Sequence, residues 1–161
     1  MVTFNFPKSF WIIAEQIGLA RTVVNKELTI KAPRYDRGEK NQHVDTLGIL
    51  GELIAMEYLT QKNYEFTAAQ LLDYKPSKNA DLIVKGKRID VKTSRKSEYE
   101  MLLVNEEAHN KGLNKIDLYL FVYVLNESTA EFYTVNYDEV NKWPCKLMKY
   151  TNAFYTKIID L

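Results

Sequence analysis

The chain has a single cysteine, Cys145, so no disulfide can form within it, and a reducing, cytoplasmic setting is the expectation. Neither histidine, His43 or His109, lies near Cys145 in sequence, so a buried, unreactive thiol is expected over a catalytic one. No apolar run approaches the roughly 20 residues that cross a bilayer, which excludes a helical membrane span. The opening "MVTFNFPKSFWIIAEQ" lacks the basic start, long apolar stretch and small-residue cleavage site of a secretory leader, so none is expected. Repeats, low-complexity tracts and Gly/Ser linkers are also missing, and one domain over residues 1–161 is expected. A net charge of +1 by itself directs the chain to no polyanion.

The charges are, however, unevenly spread. Lys85, Lys87, Arg88, Lys92, Arg95 and Lys96 surround one acid, Asp90, and the segment from Lys142 to Lys157 holds lysines and no acid. Such segregation can build a basic face on a neutral protein, although a solvated mixed surface explains each run equally well.

Helical spacing of Trp11, Ile12, Ile13, Ile17, Ala20 and Val24 after Ser9, a capping residue, predicts a helix ending near Lys26. "KAPRYDRGEKNQ" (31–42) is polar and irregular and reads as a loop. A second helix, "TLGILGELIAMEYLTQK", starts at Asp45 or Thr46 and is apolar around most of its circumference, so it is expected to be largely buried. The period then changes to two. "DLIV" and "RIDVKTS" flank Lys85-Gly86, a hairpin signal. Asn105 caps a short helix, "EEAHNK", closed by Gly112, in which His109 is expected to be exposed. "DLYLFVYVL" is apolar on both faces and predicts a central strand. "AEFYTV" follows as a strand, "NYDEVNKW" as a short helix stopped by Pro144, and "FYTKIIDL" as a last strand. The order gives an α/β domain with a mixed central β-sheet flanked by helices. The tyrosines are scattered through these elements, which favours packing over a base-stacking platform.

With Lys85-Gly86 as a two-residue turn, Val84 pairs with Lys87 and Leu82 with Ile89. Leu82, Val84, Ile89 and Val91 then share an apolar face. The same register sets Asp81 across from Asp90, β-carbons about 5 Å apart, with Lys92 on the same side. Opposed carboxylates repel, and packing does not reward them. A divalent cation between them would, because close carboxylates and water form a hard oxygen site suited to Mg²⁺. Lys92 then stands where it can orient a water or hold a phosphate oxygen. A surface hairpin whose acids are neutralised by Lys92 and Arg88 is the plainer alternative.

Asp81, a hairpin and Asp90-Val91-Lys92 resemble the active-site motif of the PD-(D/E)XK, or restriction-endonuclease-like, nucleases. Upstream, Gly51-Glu52-Leu53-Ile54-Ala55 is similar to the G-E-x-x-A setting on that family's first core helix. Glu52 shares its side of the helix with Gly48 and Ala55, small residues that would let it approach a sheet. The resemblance spans roughly residues 45–135, leaving 1–44 as an N-terminal helical extension and 136–161 as a C-terminal one. Asn79-Ala80 stands where a proline often precedes the first aspartate, and Asp90 where glutamate is frequent.

The resemblance implies a restriction-endonuclease-like core and Mg²⁺-dependent hydrolysis of DNA phosphodiesters, with Mn²⁺ a possible substitute. Asp81 and Asp90 would be metal ligands, with the Val91 carbonyl beside them and Glu52 bound directly or through water. Lys92 would activate the attacking water. Arg95 and Lys96, and the loop residues Arg34, Arg37 and Lys40, are candidates for backbone phosphates. Cutting both strands of a duplex needs two sites, which implies a homodimer or higher oligomer. Restriction, homing, junction resolution and repair are equally compatible. Two other readings stay open: a non-catalytic nucleic-acid-binding or assembly module on the same fold, and an unrelated α/β interaction protein with a salt-bridged hairpin.

Overall fold

The computed structural model describes residues 1–29, 40–69, 71, 80–96, 100–111, 115–148 and 152–158, with backbone alone for 25–29 and 40–42. Along the chain run β1 (Val2–Asn5), α1 (Ser9–Thr29), α2 (Lys40–Gln61), β2 (Phe66–Ala68), β3 (Leu82–Val84) and β4 (Lys87–Arg95). Then follow β5 (Met101–Asn105), α3 (Glu106–Asn110), β6 (Leu118–Val124), β7 (Thr129–Asn136), α4 (Tyr137–Val140), β8 (Cys145–Leu147) and β9 (Asn152–Lys157). The architecture is mixed α/β. Six strands form one sheet in the order β1-β7-β6-β4-β3-β2, and β5, β9 and β8 form a second. Only the β4–β6 pair among these ladders is parallel, so the larger sheet is mixed as expected.

The doubly apolar β6 explains the layering. Leu120, Val122 and Val124 join Ile49, Leu50, Ile54 and Ala55 of α2 in one core. Tyr119, Phe121 and Tyr123, on the opposite face, join Leu102 and Val104 of β5 and Val140 of α4 in another. A strand with two greasy faces needs cover on both, and here helices supply one layer and the smaller sheet the other.

The hairpin folds in the expected register, Val84 opposite Lys87 and Leu82 opposite Ile89. Lys85 and Gly86 both have positive φ, at 49° and 78°, as a twisted two-residue turn requires. Leu82, Ile89 and Val91 are buried in the helix-side core, with Val84 packed against it.

Several elements differ from expectation. α2 begins at Lys40, so the backbone of residues 40–42 is helical where a loop was expected; 31–39 lie outside the described residues. On α1, Ile12 is 66% exposed and Ile13 42%, while Ala14, Gly18 and Thr22 are buried. Phe10, Trp11 and Ile17 pack against the core beside these small residues, so the apolar pattern locates part of the contact face and misplaces Ile12 and Ile13. The N-terminal residues are no appendage: β1 forms an edge of the larger sheet, and Phe4, Phe6 and Ala14 sit in its core. Cys145 is exposed on β8, a strand beside β9, and not buried. No helix among the described residues is long and apolar enough to cross a membrane.

Candidate active site

The site lies where the sheet splits. β4 pairs with β3 over Lys87–Ile89 and with β6 over Ile89–Arg95, so beyond Ile89 its β3-side edge leaves the described ladder. β3 stops at Leu82, and Asp81 sits in a bend, not in the strand where the register would extend it. The Asp81 carboxylate takes over the next rung: its Oδ2 accepts the Val91 backbone N–H at 2.7 Å. The Asp81 carbonyl accepts the N–H of Ala69 at 2.8 Å, which ties the bend to the end of β2. The N–H and C=O of one residue in an extended strand point to the same side, so the Val91 carbonyl is directed toward this edge too.

The charges in this notch act on one another. Burial pushes the Asp81 carboxyl up from 3.8 to about 7; the negative charges of Asp90 and Glu52 push the same way, against the Val91 N–H and Lys92. Lys92 Nζ donates to Asp90 Oδ1 at 2.6 Å. Burial also raises the Glu52 carboxyl, opposed by Arg21 and Lys92 and helped by Asp90. The four residues singled out from sequence, Glu52, Asp81, Asp90 and Lys92, therefore share one electrostatic environment.

Glycines set the spacing. A β-carbon at Gly51 would lie 1.8 Å from Thr93 Oγ1, so only glycine lets α2 lie this close to β4. That contact puts Glu52, the next residue, at the split. Gly48, expected to face the sheet, instead faces Arg21 of α1, whose Nη1 would lie 3.7 Å from an added β-carbon. At the α1–α2 crossing a β-carbon on Gly18 would meet the Thr46 backbone at 2.7 Å. There Thr22 Oγ1 donates to Asp45 Oδ2 at 2.7 Å.

Arg21 is the site residue that sequence reasoning missed. It reaches across α2 to Glu52, with Nη1 3.1 Å from Oε1 and Nη2 3.5 Å from Oε2. Its Nε also donates to the Leu71 carbonyl at 2.9 Å. The sequence signal for it is faint: Gly18, one turn earlier, marks a close helix crossing.

A second unexpected group backs the site. His109 is 2% exposed, not a surface residue, and its ring stacks on Tyr137 at 4.1 Å. Its Nε2 lies 3.1 Å from Asn141 Oδ1 and its Nδ1 2.9 Å from the Tyr119 hydroxyl. The neutral tautomer donating to Asn141 leaves Nδ1 to accept from Tyr119. Tyr119 is the β6 neighbour of Asp90, and Lys92 Nζ lies 5.8 Å from its ring centre. Burial and the charge of Asp90 hold the Tyr119 hydroxyl well above the usual phenol range. The predicted Asn105 cap is present, its side chain accepting from Ala108 N–H at 2.8 Å; Gly112 lies outside the described residues.

The proposed phosphate contacts divide. Arg95 is stacked on Trp11 of α1, its guanidinium carbon 4.4 Å from the ring centre. Lys96 is exposed just beyond β4, its backbone N–H donating to Val124. Arg34, Arg37 and the Lys40 side chain lie outside the described residues.

Among the described residues, no three acid, histidine or cysteine side chains converge closely enough to close on one ion. Glu52 is turned to Arg21, and Asp90 holds Lys92. The donors are nonetheless all hard oxygens, the type Mg²⁺ takes, and Asp81 is raised first by burial and then by the neighbouring charges of Asp90 and Glu52. The residues fit such an ion. A search against protein-family models returns no match, and comparison with curated proteins returns none either.

Proposed function

We propose that this chain is a divalent-metal-dependent endonuclease that hydrolyses DNA phosphodiester bonds on a restriction-endonuclease-like core. One observation carries the reading: Asp81, Asp90, Glu52 and Lys92 meet in one another's field at the β3–β4 split, with Asp81 pushed up to about 7. Desolvated like charges are costly to fold, and a divalent cation offsets that cost. The chain order around the split also fits: a helix with Glu52, a strand end with Asp81, a strand with Asp90 and Lys92, then the central strand β6.

Asp81 and Asp90 would hold the ion, Mg²⁺ or Mn²⁺, with the Val91 carbonyl on the same edge. The bonds described above engage one oxygen of each aspartate, and a carboxylate carries lone pairs on both. Glu52 adds negative charge to the site through its field on Asp81. When bound, the ion polarises a phosphoryl oxygen and lowers the pKa of a coordinated water. Lys92 is steadied by Asp90 and lies over the Tyr119 ring, a position suited to orienting the attacking water and holding a phosphate oxygen. Cutting both strands of a duplex calls for two copies of the chain.

The test is incubation of plasmid and branched DNA with Mg²⁺, Mn²⁺ or EDTA. Cutting that requires the ion supports the reading. Binding of DNA with no cutting across a broad substrate panel contradicts it and favours a non-catalytic nucleic-acid module.

A further inference from the structure

We infer that Arg21 is a phosphate-contacting residue of this site, and that Glu52 anchors it and is not a ligand to the ion. The inference rests on the nuclease reading above and deepens it, by giving the first helix a part in holding the substrate.

The donor geometry comes first. A guanidinium has five N–H donors in a rigid fork. Four point inward: Nε and one Nη2 hydrogen to the Leu71 carbonyl, the other Nη2 hydrogen and one Nη1 hydrogen to Glu52. Among the described residues the fifth, on Nη1, has no acceptor, and the side chain stays 24% exposed. A guanidinium held on two edges with one donor left over is preorganised for an anion, since little freedom remains to be lost on binding.

Glu52 is spent on this task. Both of its oxygens face Arg21, whereas the bonds at Asp81 and Asp90 engage one oxygen each. An ion would have to compete with the Arg21 guanidinium for the lone pairs of a paired, 12%-exposed carboxylate. Among the described residues, the same geometry keeps the acids from converging on one point.

The glycines give the arrangement its stack. Gly18 brings α1 onto α2 at Thr46, Gly48 leaves room for the Arg21 guanidinium to lie across α2, and Gly51 brings α2 onto Thr93 of β4. The charges are also complementary. Three carboxylates against Lys92 and Arg21 leave one negative charge; one divalent ion makes the sum one positive, which a phosphodiester neutralises. Without Arg21 the sum falls to zero, whereas loss of the Glu52 charge raises it to two positive, so a KM rise in Glu52→Gln reports the lost anchoring of Arg21 and not the charge sum.

The experiment compares Arg21→Gln, Arg21→Lys, Glu52→Gln, the double variant Arg21→Gln/Glu52→Gln, and Asp81→Asn with wild type. Mn²⁺ affinity is read by calorimetry, and KM and kcat on plasmid DNA in Mg²⁺, with melting in EDTA as the folding control. Arg21→Gln and Glu52→Gln should each raise KM about tenfold or more. The double variant should be no worse than the worse single one, because both disable one unit. Arg21→Lys, which folds with less disturbance, should restore KM only in part. Mn²⁺ affinity should stay within about twofold of wild type in all of these and be lost in Asp81→Asn. An unchanged KM in Arg21→Gln, or loss of Mn²⁺ binding in Glu52→Gln equal to that in Asp81→Asn, overturns the inference while leaving a metal-dependent nuclease intact. A wild type that neither binds Mn²⁺ nor cuts DNA overturns the nuclease reading, and this inference with it.

Discussion

Val91 donates its backbone N–H to the Asp81 carboxylate at 2.7 Å, so a side chain stands where β3 would supply the next ladder bond to β4. This substitution brings a charged group into a half-buried sheet edge beside Asp90. The β3–β4 pairing ends at the same point, with Leu82 opposite Ile89.

Because the Asp81 carboxyl is raised from 3.8 to about 7, the folded chain binds its proton more tightly than the unfolded chain does. The sign follows from linkage: the stabilisation is present in full below pH 3.8 and is lost as pH rises through about 7. In EDTA, urea unfolding should show lower stability at about pH 8 than at about pH 5, and Asp81→Asn should flatten that slope. Mg²⁺ should stabilise the wild type more at the higher pH, where the carboxylate is already ionised. Identical pH profiles for wild type and Asp81→Asn would show that Asp81 is not the group responsible.

Gly51→Ala forces a β-carbon to within 1.8 Å of Thr93 Oγ1. Overpacking of this kind costs about 1–3 kcal/mol, against a gain of up to about 1 kcal/mol in helix propensity. A net loss in melting temperature is expected. Adding Thr93→Ala should recover only part of it, because Thr93 Cβ would still lie 2.8 Å away. A Gly51→Ala protein as stable as wild type would mean that α2 does not rest on β4 through this residue.

His109→Ala removes a ring from the stack with Tyr137 and strips partners from Tyr119 and Asn141. The expected loss is roughly 3 kcal/mol or more in chemical denaturation. A surface histidine would give almost none, so the size of the loss decides between the two placements.

Arg95 and Lys96 adjoin in sequence but differ in surroundings. Lys96→Ala should reduce the slope of log affinity for duplex DNA against log salt by about 0.9, as loss of one phosphate contact does. Arg95→Ala should leave that slope nearly unchanged and cost about 0.5–1 kcal/mol of stability through loss of the Trp11 stack. The reverse pattern would place Arg95 on the DNA and Lys96 off it.

The hairpin was legible because strand register is local: a two-residue turn and an apolar alternation define the pairing through Leu82 and Ile89, whereas the expected Asp81–Asp90 rung does not form because Asp81 leaves the strand in a bend. The two-faced β6 was legible for the same reason. What stayed hidden depends on contacts distant in sequence. Arg21 lies 31 residues from Glu52, on a helix whose crossing with α2 runs through Gly18 and Thr22, so hydrophobic spacing, which finds Trp11 and Ile17, gives no sign of it. The short strands β1, β2, β5 and β8 have little periodicity of their own and are held by their partners. His109 carries no local sign that β6 and α4 will enclose it.

The most direct measurement is the rate at which supercoiled plasmid is cut in Mg²⁺ by wild type and by Asp90→Asn, which keeps the side-chain shape and removes the charge. Wild-type cutting should stop in EDTA. Asp90→Asn, melting within a few degrees of wild type, should be slower by about 10²-fold or more. Equal rates for the two proteins, or cutting that persists in EDTA, would contradict a metal-dependent site built on Asp81 and Asp90.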